Sequence, residues 1–72
     1  MSENGTIAVM VNGEERRLPG GLTLRAMLRH FDLDPRAVVV EHNREIVRRP
    51  HLDDVTVAAG DRIELVHFVG GG

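Results

Sequence analysis

The chain contains no cysteine, no lysine, no tryptophan and no tyrosine, and its only phenylalanines are Phe31 and Phe68. Without cysteine there can be no disulfide framework, no thiolate zinc or iron–sulfur site and no thiol nucleophile. Without lysine there is no side-chain amine to acylate and no P-loop lysine. No glycine-rich loop opens a helix either, so the chain is not expected to bind ATP with its own residues. Two aromatic rings are too few for a base-stacking platform. Nine arginines stand against eleven carboxylates for a net charge of −2, and the arginines form no basic block, so nucleic acid is not an expected partner. No apolar run approaches the ~20 residues of a membrane span, and no signal-like segment follows Met1. The expectation is a soluble cytoplasmic protein with no bound cofactor and no membrane contact.

What is present is one small domain. Seventy-two residues leave no room for two cores, and 42% hydrophobic residues suffice for a globular one. Ile7, Val9 and Val11 alternate with Ala8, Met10 and Asn12, which predicts a strand with one buried face. Asn12-Gly13 predicts a two-residue hairpin turn, because both positions must reach positive φ, and Glu14 to Leu18 is the return strand. Pro19-Gly20-Gly21 ends it. Thr23 is the expected helix N-cap, with Leu22 stapled onto Met27. Leu24, Met27, Leu28 and Phe31 form one apolar stripe, and Asp34-Pro35 is expected to stop the helix. Strands are then expected over 37–41 and 45–48, with Glu41 to Arg44 as the turn. Pro50 to Asp54 reads as an irregular crossing with one helical turn, Val55 to Val57 as short and extended, and Arg62 to Val69 as the last strand. This order predicts an α+β fold, a mixed sheet of four to five strands with one main helix packed across it. The first and last strands are the most apolar and are expected side by side at the centre.

The last three residues, Gly70, Gly71 and Gly72, turn nothing at the end of a strand. They are either an incidental disordered end or a tail without side chains that can thread a narrow channel. Three residues reach about 10 Å, enough to carry a terminal carboxylate into a partner's active site. The preceding strand bears on that choice. Parity buries Ile63 and Leu65 and sets Glu64, Val66 and Phe68 on the other face, where Val39 joins them if Val38 and Val40 point inward. The apolar trio Val39, Val66 and Phe68 is either scattered surface or a docking patch beside the tail. His30, His42, His51 and His67 show no ligand spacing, so no metal site is expected and they are taken as surface groups. Asp53-Asp54 and Glu14-Glu15 are adjacent pairs suited to solvated turns and edges rather than an acid/base dyad. Asn43 is taken as a turn residue.

Four stretches carry a resemblance to a known family. They are Val11-Asn12-Gly13-Glu14 with Leu22-Thr23-Leu24, the run Val40 to Val47, and above all Gly60-Asp61-Arg62 continuing through Phe68-Val69 to Gly70-Gly71-Gly72. On these residues the chain resembles the ThiS family of sulfur carrier proteins. Arg48-Arg49-Pro50 departs from that family's usual order, and the N-terminus is a few residues longer. The resemblance implies a ubiquitin-like β-grasp domain over residues 1–69 and a flexible tail over 70–72. It implies a protein co-substrate rather than an enzyme. A ThiF-like adenylyltransferase would use ATP to adenylate Gly72. A cysteine desulfurase or other sulfur donor would convert the adenylate to a thiocarboxylate, and a ThiG-like thiazole synthase would receive the sulfur for thiamine. The same chemistry could serve molybdopterin through a MoaD-like partner set, or another sulfur metabolite. A non-covalent β-grasp interaction module is the third class.

Overall fold

The computed structural model describes residues 5–68. The hairpin forms as the alternation predicts. β1 (Thr6–Val11) runs into β2 (Glu14–Pro19) through Asn12 and Gly13, both at positive φ (51° and 83°), as a twist-matched two-residue turn requires. Helix α1 (Leu24–His30) follows, and Thr23 Oγ1 accepts the Ala26 N–H at 3.1 Å as its N-cap. β3 (Val38–His42) and β4 (Glu45–Val47) make a second hairpin, and β5 (Arg62–His67) returns between the two hairpins. The sheet order is β2-β1-β5-β3-β4, with β1 and β5 parallel and the other neighbours antiparallel. The first and last strands are therefore adjacent, with β5 at the centre.

One face of this sheet is the core. Val9, Val11, Leu18, Val38, Val40, Ile63 and Leu65 point inward against Leu24, Met27 and Leu28 of α1, and Leu52 and Val57 close the rim. Leu22 packs on this cluster from the edge, as does Phe31, whose ring lies 5.0 Å beneath the Arg16 guanidinium. A five-stranded mixed sheet gripping one helix in this order is a β-grasp fold.

Two local expectations need correction. The helix ends before Asp34-Pro35. Leu33 N–H donates to Leu28 C=O and Asp32 N–H to Arg29 C=O, with Asp32 at φ 64°, so a Schellman turn closes the helix with aspartate where glycine is usual. Asp34 then caps a 3₁₀ turn over Pro35–Ala37 by accepting the Arg36 N–H, so the proline opens an element instead of stopping one. The segment 55–57, expected as short and extended, makes a single bridge, Thr23 to Thr56. The second correction concerns His42, which is not a simple surface group. Its side chain is 19% exposed, and its Nε2 lies 2.7 Å from Asp61 Oδ2.

The two hairpin turns also hold the central strand. Asn12 Oδ1 accepts the Leu65 N–H at 2.7 Å, and Asn43 Oδ1 accepts the Arg62 N–H at 2.8 Å. Both asparagines sit at φ 51°, a conformation that asparagine tolerates better than most residues, and each uses its amide to pin β5 from one side. Asp61 completes the anchor by accepting from the Ala58 N–H, the Asn43 amide and the His42 ring. Burial pushes the Asp61 carboxyl up, but these hydrogen bonds outweigh it and hold the group below its ordinary value. A carboxyl depressed on folding stabilises the fold above its unfolded value near pH 4, and that contribution disappears as pH falls through the folded value. Asp61→Asn is expected to cost about 1–3 kcal/mol at neutral pH. The gap to wild type in urea melts should narrow at pH 3. A gap that stays constant with pH would show that the ionised carboxylate is not what anchors β5.

Candidate functional site

β5 delivers its outward residues to the end of the sheet from which the chain continues toward 69–72. Ile63 and Leu65 are buried, at 0% and 8% exposure, whereas Val66 and Phe68 stand out at 61% and 55%. Phe68 N–H donates to Ala37 C=O at 3.0 Å, so the strand geometry is held through residue 68. Val39 lies directly opposite Val66 in the antiparallel ladder and is half-buried on the same outer face. The structure thus brings Val39, Val66 and Phe68 together at the end of the central strand. Gly70, Gly71 and Gly72 lie outside the described residues.

A further exposed apolar residue belongs with this trio. Ile46, 63% exposed on β4, lines the same groove as Val39 and Phe68. Sequence reasoning passed over it, although the signal was available. With Val47 turned toward the core, alternation alone sets Ile46 on the outer face. Four large apolar groups at one corner of an 8.0 kDa domain exceed isolated surface residues and suit a docking face.

The charges around the patch are segregated. Glu41 and Glu64 oppose each other across β3 and β5 one step inward from the Val39–Val66 pair. Like charges directly opposite are unfavourable in a sheet. Arg48 and Arg49 stand on the far side, where the chain leaves β4. No group of three or more His, Asp or Glu among the described residues is placed to hold a metal ion. Asp53 pairs with Arg25 and Asp54 with His51, both in exposed positions. Glu14 lies 3.8 Å from Arg16. These contacts lie on the exposed surface.

The family model described as ThiS family matches residues 9–72. This chain belongs to the ThiS family. The sulfur carrier protein ThiS of Bacillus subtilis is 40% identical over 50 residues, which cover 69% of this chain and 76% of that one. The crystal structure of the thiamine biosynthesis protein ThiS from Geobacter metallireducens superposes with a TM-score of 0.79 at 30% identity, covering 92% of this chain and all of that one. A thiazole synthase from Paramagnetospirillum magneticum is 42% identical over 64 residues, 89% of this ThiS-family chain. The match spans only 20% of that synthase's length. Among the described residues no helix is long and apolar enough to cross a membrane.

Proposed function

We propose that this chain is a sulfur carrier for thiazole formation in thiamine biosynthesis, with the Gly72 carboxylate as its working group. A free α-carboxyl titrates near pH 3.5, so Gly72 is an anion at neutral pH and can attack the α-phosphate of ATP, expelling pyrophosphate. A ThiF-like adenylyltransferase supplies the ATP site. A cysteine desulfurase or an equivalent donor presents the sulfur as a persulfide, whose terminal sulfur attacks the adenylate carbonyl, expels AMP and forms an acyl disulfide. A thiol then cleaves that disulfide by exchange, leaving the thiocarboxylate while the donor sulfur departs as a mixed disulfide with the thiol. The mixed anhydride hydrolyses in water, so the partner must enclose it, and a tail of three glycines offers no side chain to obstruct that enclosure. A lysine-free chain also has no ε-amine to intercept its own activated end.

The observation that carries this reading is the exposed apolar end of a firmly anchored central strand, together with a family match that continues through Gly72. The thiazole synthases with a ThiS-like stretch in their own chains support a ThiG-like synthase as the acceptor. The chain acts in this scheme as a protein co-substrate. The decisive experiment is the intact mass of the protein from its own host. An oxygen-to-sulfur exchange at Gly72 is expected. A mass larger by a further domain would place this stretch inside a longer polypeptide and overturn the free-carboxylate scheme.

The outer patch is the expected docking face for the activating enzyme. Phe68→Asp should raise the carrier KM in ATP–pyrophosphate exchange by about tenfold or more, as loss of an aromatic anchor does at other interfaces. The midpoint of thermal unfolding should barely move, because the ring is 55% exposed. A collapse of stability with unchanged KM would show that Phe68 serves the fold and not the partner.

A further inference from the structure

The groove beside Phe68 has features that a purely apolar patch lacks. β4 ends at Val47, so β3 is covered by β4 only from Val40 to His42. Toward its N-terminal end β3 pairs with β5 on one side and, among the described residues, with no strand on the other. A groove of about 390 Å³ runs along this side, lined by Val38, Val39, Ile46, Arg48, Arg49 and Phe68 among others. Alternation along β3 turns the Val38 N–H and C=O to the side that β4 no longer reaches.

The described residues place no carboxylate within ion-pairing distance of Arg48 or Arg49. Asp34 registers the Arg49 charge, but its carboxylate is already held by Arg36 through both Nε and Nη2. On the inner side of the patch, Glu41 and Glu64 face the same surface. An occupant therefore meets positive charge at one end and negative charge at the other.

We propose that this groove receives an extended acidic segment of the partner enzyme, with its carboxylates against Arg48 and Arg49 and an apolar side chain over Val39, Ile46 and Phe68. This rests on the carrier function proposed above and adds the chemistry of the partner surface. The aliphatic floor suits an apolar side chain of a polypeptide, and the charge polarity gives the segment one direction. A nucleic acid would find one ring and two flanking glutamates.

The test uses the full chain and the ThiF-like enzyme of the same host in ATP–pyrophosphate exchange. The Arg48→Glu/Arg49→Glu double variant should raise the carrier KM about tenfold at low salt with kcat unchanged, and the difference should shrink as salt is added. Arg17→Glu, on the distant edge strand, should leave KM at the wild-type value. If the double variant fails to fold, Arg48→Gln/Arg49→Gln takes its place. Exchange with a wild-type KM in the folded variant would overturn the groove while leaving the carrier function standing. If wild type supports no exchange, the carrier function falls, and the groove is decided by amide shift titration with an acetylated Leu-Glu-Leu-Glu-Glu peptide. Shifts at Val38, Val39, Ile46 and Phe68 that the double variant loses would uphold it. Absence of those shifts, or binding of a single-stranded oligonucleotide in their place, would overturn it.

Discussion

Gly71→Val is expected to abolish activation of the chain while leaving its unfolding midpoint where it is in wild type. The two halves of this outcome have separate causes. In the proposed scheme the tail enters an enclosed site; a valine adds a β-branched side chain to it and restricts the φ/ψ range it can use to get there. Misplacing a reacting group by about 1 Å can cost about a hundredfold in rate. Among the described residues, by contrast, every buried core side chain lies between Val9 and Leu65. Substitutions away from a core usually change stability by less than about 0.5 kcal/mol. The check pairs ATP–pyrophosphate exchange with thermal melts on the same preparation. Unchanged exchange would remove the channel from the scheme, and with it the reason for three consecutive glycines.

The parts of this fold that could be read in the sequence are those set by local chemistry. Asn12-Gly13 announces its turn because few other pairs accept two positive φ values in succession. The stripe Leu24-Met27-Leu28 announces a buried helix face because its spacing matches the helical repeat. Parity placed Val66 and Phe68 outward because successive strand residues must alternate. What could not be read depends on residues far apart in sequence. Asn12 reaches Leu65 across 53 positions, and His42 reaches Asp61 across 19, so neither has a local pattern. Helix α1 stops at a Schellman turn through Asp32 because Leu33 is drawn back onto the core, a tertiary contact that overrides the proline signal two residues later. Arg44 at φ 76° has no sequence warrant at all. Its neighbour Asn43 is committed to β5, and the two-residue turn forces the next residue to follow. The outer apolar patch was half legible. Val39, Val66 and Phe68 followed from alternation, but the groove beside Arg48 and Arg49 exists only because β4 stops at Val47.

Leu28→Ala is expected to do the opposite of Gly71→Val: it should unfold the domain and lose carrier activity as a consequence. Leu28 is fully buried at the centre of α1, against the inner faces of the strands. Its carbonyl also accepts the Leu33 N–H that closes the helix. Removing the side chain of a buried leucine costs about 2–5 kcal/mol, partly in lost transfer energy and partly in the cavity left behind. A core of this size rarely supplies more than about 3–5 kcal/mol in total, and this chain has no disulfide to add to it. The helix has seven residues, too short to persist without its packed face, so a cavity beneath Leu28 weakens the element that covers the sheet. Far-ultraviolet circular dichroism at 37 °C should show mostly unfolded protein. Lowering the temperature, or adding an osmolyte that favours burial, should restore part of the signal and part of the exchange activity together. That proportionality is the informative result, because the carrier scheme requires a folded scaffold to present the tail. Exchange activity that persisted in the unfolded variant would mean that the partner recognises the glycine tail alone and that the apolar face around Phe68 has no role in docking.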